Sequence, residues 1–164
     1  MRQIGTVFFL SLAAAVVTQA LALTAQAPWM TLPGLFVGLI WALDFWRGKH
    51  WSGTFSFVVL MILTFSGFWM RLSSLLLLAS AVLSLVTWDL DAFAQKLKAY
   101  DPDQGMTPVI RTHLSRLSGI AIAGYFLSLL PLLVKTRLNL PVALILGLIL
   151  ILTLSQAIHF LRDR

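Results

Sequence analysis

Residues 54–88 read TFSFVVLMILTFSGFWMRLSSLLLLASAVLSLVTW, and Arg71 is the only charge among them. As one straight helix this stretch would extend about 52 Å at 1.5 Å per residue, far beyond a hydrocarbon core of about 30 Å. A run this apolar and too long to cross a bilayer once must turn and cross again. Gly67, Arg71 and the Ser73-Ser74 pair mark the turn, with a Ser suited to cap the helix that follows. The stretch therefore splits into spans at 54–69 and 73–90, and the chain is predicted to be a polytopic all-α membrane protein.

The totals agree. The chain is 59% hydrophobic and only 11% charged, against about 25% charged in a soluble domain, so too little polar surface exists to coat a water-soluble globule. Bases outnumber acids 12 to 6, but they stand singly or in pairs at the ends of apolar runs. That is the pattern of topogenic charge and excludes a nucleic-acid face. The absence of Cys removes disulfides, thiolate catalysis, Cys-ligated zinc and iron–sulfur clusters.

Four further spans follow from the same reasoning. The first, 4–24, is long enough to cross; its rival is a secretory signal, suggested by the small-x-small endings Ala20-Leu21-Ala22 and Ala25-Gln26-Ala27. Pro28 after the second of these, and the length of the run, favour a retained span. The second, 31–46, tolerates Pro33 in its first turn and contains Gly34-Leu35-Phe36-Val37-Gly38, a GxxxG that admits close helix approach. The fifth and sixth are 113–134 and 140–161. Between the fourth and fifth, Phe93, Leu97 and Tyr100 recur at helical spacing, Asp101-Pro102-Asp103-Gln104-Gly105 reads as a turn, and Thr107-Pro108 restarts a helix. A helical hairpin over 89–116 is expected there. The whole of 1–164 is then one integral membrane domain.

With the N-terminus inside, Arg2, Arg47, Lys49, Lys96, Lys98, Arg111, Arg116, Arg162 and Arg164 lie on the inner side, and only Arg71, Lys135 and Arg137 on the outer. The positive-inside rule places both termini in the cytoplasm of a cell-membrane protein. Trp29 and Trp69 fall at the outer boundary, and Trp46, Trp51 and Trp88 at the inner one, as interfacial indoles do.

The polar residues suggest little chemistry. All aspartates and histidines land on the cytoplasmic side, where Asp44, Asp89, His113 and His159 form a candidate polar rim. No charge sits at mid-span, which argues against an ion-coupled transporter. Asp89 and Asp91 are two apart and point to nearly opposite helix faces. No HExxH, His pair at i,i+4 or GxSxG motif is present, so neither a metal, a haem nor any other cofactor is expected, and the chain is read as non-enzymatic. If the hairpin arms pair antiparallel, Asp91 faces Arg116 and forms a candidate structural ion pair; failing that, Asp89 does, or Arg116 snorkels to the headgroups. Gln19, Tyr125 and Gln156 are uncharged polar groups within spans, suited to bonds between helices. Gly34, Gly38, Gly119 and Ala123 are candidate packing positions. The expected role is that of a structural or assembly subunit contacting lipid and a membrane partner or a second copy. The alternative is a lipid or small-molecule carrier or channel whose cavity opens at the cytoplasmic Asp/His rim.

Overall fold

The computed structural model describes residues 2–24, 28–48, 52–98 and 106–133. They form helices α1 (Arg2–Thr24), α2 (Thr31–Arg47), α3 (Gly53–Trp69), α4 (Ser74–Lys98) and α5 (Met106–Leu133), with a short 3₁₀ turn at Pro28–Met30 leading into α2. No strand occurs among the described residues. The chain divides into two compact units, Met1–Leu129 and Leu130–Arg164. Beyond the end of α5 the second unit lies outside the described residues, and with it the expected sixth span, His159 and Gln156.

In the first unit α1 to α4 close an up-down-up-down ring in which each helix packs antiparallel to the next and α4 returns to α1. Small residues let the backbones approach. Gly34 meets Gln19 and Leu63, and a Cβ placed on Gly38 would stand 2.7 Å from Val16 Cγ2 of α1. Leu77 of α4 lies on Gly67 of α3. The GxxxG of α2 thus serves packing within the chain. On α4 the residues turned inward are Leu77, Ser80, Ser84, Thr87 and Asp91, a stripe at helical spacing. Ser80 Oγ donates to the Ala15 carbonyl at 3.1 Å, and Thr87 Oγ1 lies 2.9 Å from Ser11 Oγ. Across the ring, Gln19 Nε2 donates to the Leu60 carbonyl at 3.1 Å, with Thr64 Oγ1 at 3.5 Å. Phe8, Trp41, Leu60, Leu77 and Leu90 are fully buried and fill the remaining space.

The outside is the reverse. Phe9, Leu10, Leu21, Leu32, Leu35, Phe36, Leu39, Phe55, Ile62, Phe65, Ile120, Ile122, Phe126 and Leu127 are all exposed. The spread of leucine and phenylalanine over the outside, above an interior that carries serine, threonine and glutamine beside its apolar core, departs from the rule for a protein in water. It suits a solvent of acyl chains, in which polar groups find their partners within the protein. Three described helices are long and apolar enough to cross a membrane: Ile4–Thr24, Pro28–Arg47 and Ser74–Lys98; Gly53–Trp69 is apolar but shorter. Trp46 and Trp69 stand out from the ends of α2 and α3, 77% and 91% exposed.

The reversal between α3 and α4 falls at the expected residues. Arg71 takes a left-handed conformation, φ 56°; its N–H bonds to the Phe68 carbonyl, and the Leu72 N–H reaches back to Gly67. These two bonds satisfy carbonyls that the end of a helix leaves open. Leu72 then buries against Leu23 and Leu77, and the Ser73 carbonyl accepts the first bond of α4 from Leu77 N–H. α4 continues unbroken past position 90, so the fourth span and its expected extension are one helix.

Candidate functional site: a buried carboxylate junction

The polar residues gather where α2 ends, α3 begins and the last turns of α4 pass between them. α3 opens without a side-chain cap from its own chain segment, and its first N–H groups would be left without partners. Two acids from neighbouring helices approach them instead. Asp44 of α2, nearly buried, accepts the Ser52 N–H through Oδ2 at 3.2 Å. Asp91 of α4, 2% exposed, sits against Gly53 so closely that a Cβ there would overlap its Oδ2. The same Oδ2 accepts the buried Trp41 indole N–H at 3.0 Å. Negative groups beside a helix N-terminus are stabilised by its dipole. Side-chain oxygens of Ser52 and Ser56, both buried, have no hydrogen-bond partner among the described residues.

On the opposite face of α4, Asp89 turns toward α5. Its Oδ2 lies 2.8 Å from His113 Nε2, off the axis of a good hydrogen bond, so the link is an ion pair when the imidazole is protonated. The His113 ring stacks on Phe93, centroids 3.8 Å apart and planes within 11°. Ile110, Leu114 and Leu117 carry the contact into the bundle core. Lys98, at the end of α4, donates to the Gly48 carbonyl at 3.0 Å, where Gly48 ends α2 in a left-handed conformation.

These positions correct the expected pairing. Asp91 and Arg116 do not meet: Asp91 belongs to the inward stripe of α4 and receives Trp41, whereas Arg116 is exposed on α5. The reason is the divergence of positions 89 and 91 around the helix. Packing against α1 to α3 claims Asp91, and α5 meets Asp89 through a histidine, not an arginine. Of the candidate rim, Asp89 and His113 come together, Asp44 is held separately by the start of α3, and His159 lies outside the described residues. Gly34 and Gly38 are buried between helices, but Gly119 and Ala123 are exposed, with nothing described within 4 Å of a Cβ on Gly119. Sequence reasoning missed Trp41, which reads as one more aromatic in an apolar helix. It also missed the Ser80/Ser84/Thr87/Asp91 stripe, whose 4-3-4 spacing was visible.

Chemically the junction is a structural clasp: two acceptors holding one helix start and one indole. Among the described residues no three His, Asp or Glu side chains come together as metal ligands. Comparison with protein-family profiles, curated proteins and solved structures finds no match to this chain.

Proposed function

We propose that this chain is a non-catalytic multi-pass membrane protein, a structural or assembly subunit with six spans and both termini in the cytoplasm. The observation that carries the reading is the filled interior of the α1–α4 ring. Large apolar side chains occupy its centre, and Gln19, Ser80 and Thr87 are engaged in bonds between helices, while Ser84 Oγ is buried without a partner among the described residues. A carrier would need a path there, so the packing weighs against that alternative. The Asp44 and Asp91 carboxylates hold backbone and indole N–H groups, a use that needs no substrate. The small-residue face of α5, with Gly119 and Ala123, is the feature through which a partner helix would approach.

The test is photo-crosslinking from position 123 in native membranes, followed by mild-detergent purification and identification of what co-purifies. A discrete protein adduct supports the subunit reading. Monomer alone, together with uptake of a lipid or solute by proteoliposomes holding the pure protein, overturns it in favour of the carrier.

A further inference from the structure

Between α4 and α5, beside the His113–Phe93 stack, lies an open groove of about 430 Å³ lined by Phe93, Pro108, Val109, Thr112, His113 and Arg116. At about 30 Å³ per water it has the volume of roughly fourteen waters, enough for a phosphodiester headgroup and the start of its chains. We infer that this groove holds the phosphate of an anionic phospholipid. Its floor, Phe93, Pro108 and Val109, is apolar and suits glycerol and the first methylenes. Its wall is cationic and hydroxylic. Arg116 is exposed and makes no ion pair among the described residues, and Thr112 stands one turn before it on the same helix face. A guanidinium fork with a neighbouring hydroxyl matches the oxygens of a phosphate diester. Asp89, the acid of α4 that faces α5, contacts His113 and forms no ion pair with Arg116. Exposed Arg111 and Lys96 lie on the same stretches of α5 and α4 and reinforce the positive potential.

Depth fits as well. From Leu117 to Leu133 α5 carries no charge, so Arg116 stands at the last polar step before the apolar part of the helix. Basic pockets between helices at the cytoplasmic leaflet are where anionic headgroups bind. The inference rests on the membrane reading of the chain and not on its role as a subunit.

The experiment is native mass spectrometry of the full chain in detergent, titrated with phosphatidylglycerol or phosphatidylcholine of the same acyl chains, with and without inorganic phosphate. Wild type should retain phosphatidylglycerol in preference, and Arg116→Gln should weaken that retention about tenfold, the loss of one strong charge-assisted contact. Arg116→Lys, which keeps the charge and loses the fork, should fall between them and guards against a folding defect in the first variant. Arg47→Gln, a charge removed from the exposed end of α2, should retain the lipid fully. Equal retention of both lipids, or equal loss in the Arg47 and Arg116 variants, overturns the site while leaving the membrane reading intact. Displacement of the lipid by millimolar phosphate overturns the lipid assignment and makes the groove a site for free phosphate.

Discussion

Glycine is the residue on which the packing turns, and it separates buried from open positions. Gly38→Ala drives a Cβ into Val16, and Gly53→Ala drives one into the Asp91 carboxylate. Each should cost about 1–3 kcal/mol, the range for overpacking. Gly119→Ala meets open space and should be neutral or gain up to about 1 kcal/mol from helix propensity. Denaturation in mixed micelles ranks the three; a Gly53→Ala variant as stable as Gly119→Ala would contradict the contact with Asp91. Trp41→Phe keeps an aromatic ring but a smaller one, and removes the N–H that Asp91 accepts. It should destabilise by about 1–3 kcal/mol, the penalty for stripping a partner from a buried acceptor, and the same substitution in an Asp91→Leu background should cost less. At this scale the sequence was half legible. Gly34 and Gly38 announced their packing by spacing, and Gln19 its bond between helices. Which of Asp89 and Asp91 turns inward depends on what the neighbouring helices offer, and that is not written in α4 until Ser80, Ser84 and Thr87 are read together with it.

Among the described elements, α5 has the lightest hold on α1 to α4. Its first turns rest on the Phe93–His113 stack and the Asp89 contact, worth about 0.5–1.5 kcal/mol for an aromatic pair and about 0.2–1 kcal/mol for a partly exposed ion pair. His113→Ala should therefore raise amide exchange across 108–117 roughly tenfold and leave α1 to α4 unchanged. Asp89→Asn alone should give a smaller rise. Equal protection in wild type and His113→Ala would show that the apolar contacts of Ile110, Leu114 and Leu117 suffice. The helices themselves were the legible part. Their number through 133, the reversal at Arg71 and the continuation of the fourth span to Lys98 all follow from length, charge and caps. The fine pairing of α4 with α5 was not: Asp89 meets His113, three positions before Arg116 on α5, so a register error of less than one helical turn exchanges arginine for histidine.

For the whole molecule, three apolar helices of membrane-crossing length and an exterior of leucine and phenylalanine suit a lipid solvent. The proposed topology is open to direct measurement, since the chain contains no Cys and each introduced thiol reports alone. Cysteines at Gly105 and Arg164 should react only with reagent admitted to the cytoplasm, and one at the exposed Ser73 only with reagent outside. Opposite sidedness of 105 and 164 would rule out six spans with both ends inside.

The closure of the ring by α4 onto α1 has a consequence for biosynthesis. The carbonyl of Ala15 and the hydroxyl of Ser11 receive their partners Ser80 and Thr87 only after α4 has been made. At ribosomal rates of about 5–20 residues per second, the interval between the end of the first helix and the end of the fourth is roughly 4–15 s. Gln19 gains its partners when α3 is made, whereas until α4 follows the Ser11 hydroxyl is held only by the Phe8 carbonyl of its own helix, so the contacts that close the ring are the last to form.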